Sequence, residues 1–232
     1  MTGAKRTSQL QVGAVIVAAG LGQRMEGVDK VFTPLLGAPL IAWTVGAFEN
    51  CPQVHRIVLV VREESLDRAG RLAEERGWSK VVRVCAGGQR RQDSVARGLE
   101  FLSSCRLVAV HDGARPLVSA DVIQRGIEAA RKHGAAVAAV PVTDTIKVVS
   151  KDLVVDTPER DGLWAVQTPQ VFRFDILDGA RRRVEADVTD DSSLVERSGY
   201  EVRVFMGSYE NIKVTTPRDL TMAEAILRER GN

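Results

Sequence analysis

AVIVAAGLGQRMEGVDK, residues 14–30, begins as an apolar run, breaks at Gly20 and Gly22, and ends with two cations, Arg24 and Lys30. A short Val- and Ala-rich run without polar alternation describes a strand covered on both faces. Glycines directly after such a strand let the backbone turn and come close to a ligand, and amides turned toward one point bind phosphate. A strand, a bare loop and two positive charges in that order describe an α/β protein that holds an anion at the carboxyl end of a strand.

The same grammar repeats outward from this stretch. Apolar runs recur at 56–61, 80–85, 107–111 and 135–140, and the segments near 38–49, 64–77, 91–103 and 119–133 carry apolar residues at helical spacing. This βαβ alternation predicts an α/β fold class with a mostly parallel sheet between helical layers. The rhythm stops after Val140, where PVTDTIKVVSKDLVVDTP, residues 141–158, holds two β-rich pieces around Ser150-Lys151-Asp152. That segment reads as a protruding hairpin arm. An isolated hairpin is marginal in water, so the arm packs either on its own domain or on a partner surface. Helices near 173–184 and 217–230 and a strand near 201–205 complete a single domain, residues 12–232, after a disordered tail over residues 1–11.

Two familiar glycine motifs fail in the opening loop. The dinucleotide fingerprint wants Gly or Ala three residues after its second glycine, where Met25 stands, and no Gly-Lys-Ser/Thr follows at P-loop spacing. What survives is a phosphate cradle flanked by Arg24 and Lys30, suited to a triphosphate whose α-phosphorus is under attack. Such transfers depend on positioning and electrostatic stabilisation.

Four further stretches carry chemistry. RLVAVHDGARP, residues 106–116, puts Asp112 where a strand ends, and a carboxylate at that edge suits Mg²⁺ bridging phosphate oxygens. CAGGQRRQDSV, residues 85–95, is a second glycine turn entering a helix, whose amides and Ser94 suit a nucleotide. VDTPERDGLWAVQTPQVF, residues 155–172, holds Arg160, a fork for a phosphate monoester, and a turn at Thr168-Pro169-Gln170. NIKVT, residues 211–215, places Lys213 in a β-like segment ahead of a helix beginning at Pro217.

Bulk composition closes off other classes. A net charge of +2 with 27% charged and 44% hydrophobic residues gives no field that gathers nucleic acid or an anionic membrane. Cys51, Cys85 and Cys105 form no CxxC pair, so neither a disulfide framework nor a zinc site is expected, and a reducing cytoplasm fits. Lys5 and Arg6 before the run 12–19 imitate a signal peptide, but the polar spacer 7–11 interrupts the pattern, and no segment approaches the ~20 apolar residues of a membrane span.

In order along the chain, AAGLGQRM with Lys30, GGQRRQDSV, VHDGARP, PVTDTIK, DGLWAVQTPQ, TDDSSLVE and ENIKVT closely resemble the motifs of the 2-C-methyl-D-erythritol 4-phosphate cytidylyltransferase family of non-mevalonate isoprenoid biosynthesis. The resemblance covers nearly the whole chain. It implies a Rossmann-like nucleotidyltransferase fold, Mg²⁺ dependence, and CTP and a polyol phosphate as substrates. It also implies a homodimer in which the arm of one subunit completes the site of the other. Carried over by position, Arg24 and Lys30 stabilise the transition state, and Arg160 and Lys213 hold the substrate phosphate. Asp112, Arg115, Thr145 and Thr168 line the acceptor site, with Asp112 near the metal, and Ala18, Ala19, Gly20, Gly87 and Ser94 contact the cytidine nucleotide. The sequence departs from the family pattern in the loop MEGVD before Lys30, in Gln89 where an acidic residue is associated with the base, and in Glu210 where Asp is usual. A cytidylyltransferase for another alcohol phosphate, such as ribitol 5-phosphate, is the nearest alternative reading.

Overall fold

The computed structural model describes residues 11–20, 30–184 and 187–231. In chain order the elements are β1 (Val12–Val17), β2 (Pro34–Leu35), β3 (Ala38–Pro39), α1 (Leu40–Glu49), β4 (Arg56–Val61), α2 (Leu66–Glu75), β5 (Val81–Ala86), α3 (Arg91–Leu99) and β6 (Leu107–Asp112). They continue with α4 (Ala120–His133), β7 (Ala135–Pro141), β8 (Val148–Ser150), β9 (Leu153–Asp156), β10 (Trp164–Arg173), α5 (Phe174–Arg183), α6 (Asp191–Arg197), β11 (Arg203–Met206) and α7 (Pro217–Arg230). Among the described residues no helix is long and apolar enough to cross a membrane.

Seven strands form one sheet in the order β11-β7-β10-β6-β1-β4-β5. Neighbours run parallel except β10, which lies antiparallel between β6 and β7. The chain builds outward from β1 through β4 to β5, then crosses back to place β6 on the other side of β1. The strand order therefore reverses between β1 and β6, and a crevice opens beyond their carboxyl ends, where ligands of open α/β sheets bind.

The apolar runs are buried because both sheet faces are covered. Ala14 and Ile16 of β1 pack with Val45 and Phe48 of α1 and with Ile123 and Ile127 of α4. Val15, one residue out of phase, packs on the other face with Val95 and Leu99 of α3 and with Leu177 of α5. Helix ends follow local chemistry: Ser119 caps α4 by accepting from the Val122 amide at 3.3 Å, and α4 stops at Gly134 with φ of 88°. Thr216 and Asp219 form a reciprocal cap on α7, with Pro217 in its first turn.

Three expectations need correction. The turn at Thr168-Pro169-Gln170 is the irregular middle of a strand, because β10 shifts register between Val166 and Gln170 and so accommodates a proline that donates no ladder hydrogen bond. Lys213 lies in no strand; its segment runs irregularly and is tied down where the Val214 amide donates to Ala114 O at 2.8 Å. The helix expected to reach residue 103 ends at Leu99. The tail expected over residues 1–11 lies outside the described residues except for Gln11, whose carbonyl accepts from Arg106 N at 2.9 Å.

β8 and β9 pair only with each other, as a two-stranded hairpin. Its Lys151-Asp152 turn takes positive φ at both residues, 47° and 65°, the geometry of a tight hairpin turn. Val149, Val154 and Val155 are exposed, and Leu153 is 70% exposed.

Candidate active site

The crevice is shaped by two loops tied to the end of one strand. The Ala18 amide donates to Val60 O at 2.7 Å, and the Gly87 amide donates to the next carbonyl, Val61 O, at 2.8 Å. The loop after β1 and the turn after β5 are thus held side by side at the end of β4. Gly87 allows the approach: a Cβ there would stand 2.2 Å from Ala19 Cβ and 2.7 Å from Ser94 Oγ. The Ser94 hydroxyl is itself part of the turn, accepting from the Gly88 amide at 3.1 Å and donating to Arg90 O at 3.3 Å.

Asp112, the last residue of β6, is the electrostatic centre. Its Oδ1 accepts from Arg91 Nε at 3.3 Å, while Oδ2 lies 2.9 Å from Lys213 Nζ and 3.5 Å from Arg115 Nε. Burial alone would raise this carboxyl, but Arg91, Lys213 and Arg115 hold it well below the usual carboxylate range. Its amide donates to Thr168 Oγ1 at 3.1 Å, which joins β6 to the irregular centre of β10. Arg115 continues the network by donating to Asn211 O at 2.7 Å, and the Asn211 side chain donates to Thr168 O at 2.7 Å. Arg91 also bonds the fully buried Asp191, whose carboxyl burial pushes up against the opposing pull of Arg91. His111, on the other side of β6, packs on the Phe48 ring, and burial pushes its imidazole down to about 3, so it is neutral at physiological pH.

Two cavities adjoin this cluster. The first, about 330 Å³, is lined by Ala18, Ala19, Gly20, Lys30, Gly88 and Ser94. The second, about 460 Å³, is lined by Arg115, Gln167, Thr168, Gln170, Thr189 and Ser193. Arg91, Asp112 and Lys213 belong to both and form the wall between them. One cavity is walled by small residues and backbone with a cation at its edge. Its neighbour is rich in amides and hydroxyls. A nucleotide suits the first and a polyol phosphate the second.

Most residues singled out in the sequence meet here: Ala18, Ala19, Gly20, Lys30 and Ser94 in the first cavity, Arg115 and Thr168 in the second, and Asp112 and Lys213 in their shared wall. Gly87 stands behind the first cavity, which its neighbour Gly88 lines. Arg160 and Thr145 line neither cavity; Arg160 lies beside the arm in a short 3₁₀ turn and donates to Thr143 O at 2.7 Å, and Thr145 is exposed on the arm. Arg24 lies outside the described residues. Arg91, Asn211 and Asp191 escaped the sequence reading. Arg91 was hidden in the pair Arg90-Arg91, of which only the second turns inward, while Arg90 pairs with Asp93 and Asp187 at the surface.

For the metal the wall shared by the two cavities offers one carboxylate, Asp112. Among the described residues no group of three His, Cys, Asp or Glu side chains is placed to hold an ion. This fits Mg²⁺ bound through a single carboxylate together with substrate phosphates and water, the usual arrangement for that ion.

A family model described as 2-C-methyl-D-erythritol 4-phosphate cytidylyltransferase matches residues 12–229. The chain belongs to this family. It is 50% identical over 220 residues to the protein of that name from Dehalococcoides mccartyi, covering 94% of this chain and 97% of the relative. It is 46% identical over 227 residues to the one from Alkaliphilus metalliredigens, covering 95% and 94%. Among solved structures, the 4-diphosphocytidyl-2C-methyl-D-erythritol synthase from Anaerococcus prevotii superposes with a TM-score of 0.84 at 31% identity, covering 94% of this chain and 98% of that one. The Thermus thermophilus cytidylyltransferase follows with a TM-score of 0.77 at 34% identity, covering 94% and 99%. Six cytidylyltransferase motifs meet at the two cavities: AAGLGQRM through residues 18–20, GGQRRQDSV through Gly88, Arg91 and Ser94, VHDGARP through Asp112 and Arg115, DGLWAVQTPQ through Thr168, TDDSSLVE through Thr189 and Ser193, and ENIKVT through Lys213.

Proposed function

We propose that this protein transfers the cytidylyl group of CTP to 2-C-methyl-D-erythritol 4-phosphate, giving 4-diphosphocytidyl-2-C-methyl-D-erythritol and pyrophosphate in non-mevalonate isoprenoid biosynthesis. The observation that carries the reading is the shared wall: two cavities meet at Arg91, Asp112 and Lys213, as a two-substrate phosphorus transfer requires.

In this reading CTP occupies the first cavity, its base against the turn at Gly87, Gly88 and Ser94 and its phosphates over Ala18, Ala19 and Gly20. The alcohol phosphate occupies the second, its phosphate drawn toward Lys213 and Arg115. A phosphate oxygen of the acceptor attacks the α-phosphorus of CTP in line; the new P–O bond forms as the bond to the β-phosphate breaks and pyrophosphate departs. Lys30, with Arg24, neutralises charge that builds on the α-phosphate oxygens. By analogy with oxyanion-hole donors, each well-placed cation is worth roughly 3–4 kcal/mol at the transition state. Asp112 would hold Mg²⁺ together with the nucleotide's own phosphates, and the bound ion supplies neutralisation of phosphate oxygens.

Residues 12–232 act as one nucleotidyltransferase domain with 141–158 as a dimerisation arm. A two-stranded hairpin carrying exposed valines and Leu153 does not hold itself in water, so a second copy of the chain covers it. Arg160 and Thr145 then act in the partner's acceptor cavity, with Arg160 gripping the substrate phosphate. The enzyme works in the cytoplasm.

The test is pyrophosphate release from CTP and 2-C-methyl-D-erythritol 4-phosphate with Mg²⁺, run beside ribitol 5-phosphate. Turnover with the first acceptor and little with the second is expected. A clear preference for ribitol 5-phosphate overturns the acceptor assignment.

A further inference from the structure

The neighbouring aspartates of TDDSSLVE divide two tasks. Asp190 caps α6: its carboxylate accepts from the Ser193 amide at 3.2 Å and also from the Ser192 and Ser193 hydroxyls and the Gln170 amide. Asp191 performs no such capping. It is 1% exposed, one oxygen bonds Arg91 Nη1, and the other has no hydrogen-bond partner. Burying a charge this way is costly, and an apolar pair of similar volume is often as stable or more so. Stability therefore does not explain why an acid stands there.

Following the bonds forward gives a different reason. Arg91 holds Asp191 with one arm and Asp112 Oδ1 with Nε, and the opposite oxygen of Asp112 holds Lys213 Nζ at 2.9 Å. Two carboxylates at two edges fix the plane of a guanidinium, and that plane fixes the carboxylate it grips. Lys213 is on a flexible four-carbon stem with a side chain 42% exposed, so its ammonium stands where its counter-charge is held.

We propose that Asp191 and Arg91 are positioning residues, which orient Asp112 so that its other oxygen, beside Arg115, sets the place of the Lys213 ammonium in the acceptor cavity. This rests on the reading of the second cavity as the seat of the alcohol phosphate. With Asp191 neutralised, Arg91 bears wholly on Asp112, competes with Lys213 for that carboxylate, and releases the ammonium from its place.

The experiment uses the full-length enzyme and steady-state pyrophosphate release. Asp191→Asn is expected to raise KM for 2-C-methyl-D-erythritol 4-phosphate about tenfold while KM for CTP stays within about twofold, a split that general loosening of the fold would not produce. Arg91→Lys alone should also raise the acceptor KM, since a compact ammonium does not span two carboxylates. The double variant Arg91→Met/Asp191→Leu removes the buried pair and should melt at or above the wild-type temperature, yet keep the raised acceptor KM. An acceptor KM at the wild-type level in that folded double variant overturns the proposal, as does a parallel rise of both KM values in Asp191→Asn. Absence of turnover by the wild-type protein would instead remove the functional reading, and the positioning role with it.

Discussion

Replacing Gly87 by alanine puts one methyl group where the loop after β1, the turn after β5 and the start of α3 meet. The new Cβ would lie 2.2 Å from Ala19 Cβ and 2.7 Å from Ser94 Oγ, whereas non-bonded carbons settle at about 3.5–4.0 Å. One of the walls must therefore retreat by roughly 1.3 Å or more. Neither retreats freely, because Ala18 and Gly87 are hydrogen-bonded to consecutive carbonyls of β4 at 2.7 and 2.8 Å. Overpacking costs about 1–3 kcal/mol, and leaving a buried amide unpaired costs a similar amount. Taking about 2 kcal/mol, Tm should fall by about 4–8 °C for a chain of this size. The same displacement widens the first cavity, and a misplacement near 1 Å can cost on the order of 100-fold in rate. Gly87→Ala should lower kcat/KM for CTP at least tenfold, with a smaller effect on KM for the alcohol phosphate, whose cavity meets this turn only through Arg91. Thermal melting by circular dichroism and pyrophosphate release with CTP varied measure both effects. A Tm within about 1 °C of wild type together with an unchanged kcat/KM for CTP would refute the packing argument.

Three further outcomes follow from the site. Lys30→Ala and Arg24→Ala should lower kcat far more than CTP affinity, because both cations act on charge that develops during transfer; steady-state kinetics with an independent measure of CTP binding separates the two. In a mixture of Arg160→Ala and Lys30→Ala subunits, activity should exceed that of either variant alone, because arm exchange leaves one intact hybrid site; verified heterodimers without recovered activity would count against crossing of the arm. His111 bears on acid stability: its imidazole sits at about 3 in the fold against 6.5 ordinarily, so below about pH 6.5 the unfolded chain takes up a proton that the folded chain refuses. Stability from this group is therefore intact above that pH and falls on acidification toward pH 3, by at most roughly 4–5 kcal/mol. Denaturant unfolding between about pH 4.5 and 6.5 should show that slope in the wild type and a flatter one in His111→Leu.

Legibility in the sequence tracked the range of the interactions involved. The first strand of the sheet could be read because consecutive apolar residues are a local signal. The hairpin at Lys151-Asp152 was legible for the same reason. β10 was not, because Pro169 reads as a turn within its own neighbourhood and becomes part of a strand only when β6 and β7 stand on either side to supply ladder partners. Lys213 was recognised as a cation of interest while its β-like surroundings misled: Val214 pairs with Ala114, a residue 100 positions away, in an irregular loop.

The amino-acid sequence by itself determined the α/β alternation and the family, since both are written in residue order and spacing. Which charged side chains meet was decided only by the tertiary structure. Arg91, Asp112 and Lys213 come from three separate segments, and the reversal of strand order between β1 and β6 brings them into one wall, with Asp191 of a fourth segment buried behind Arg91. The reason is physical: a charge's partner depends on distance through space and on burial that strengthens the attraction. Neither quantity can be read from one dimension.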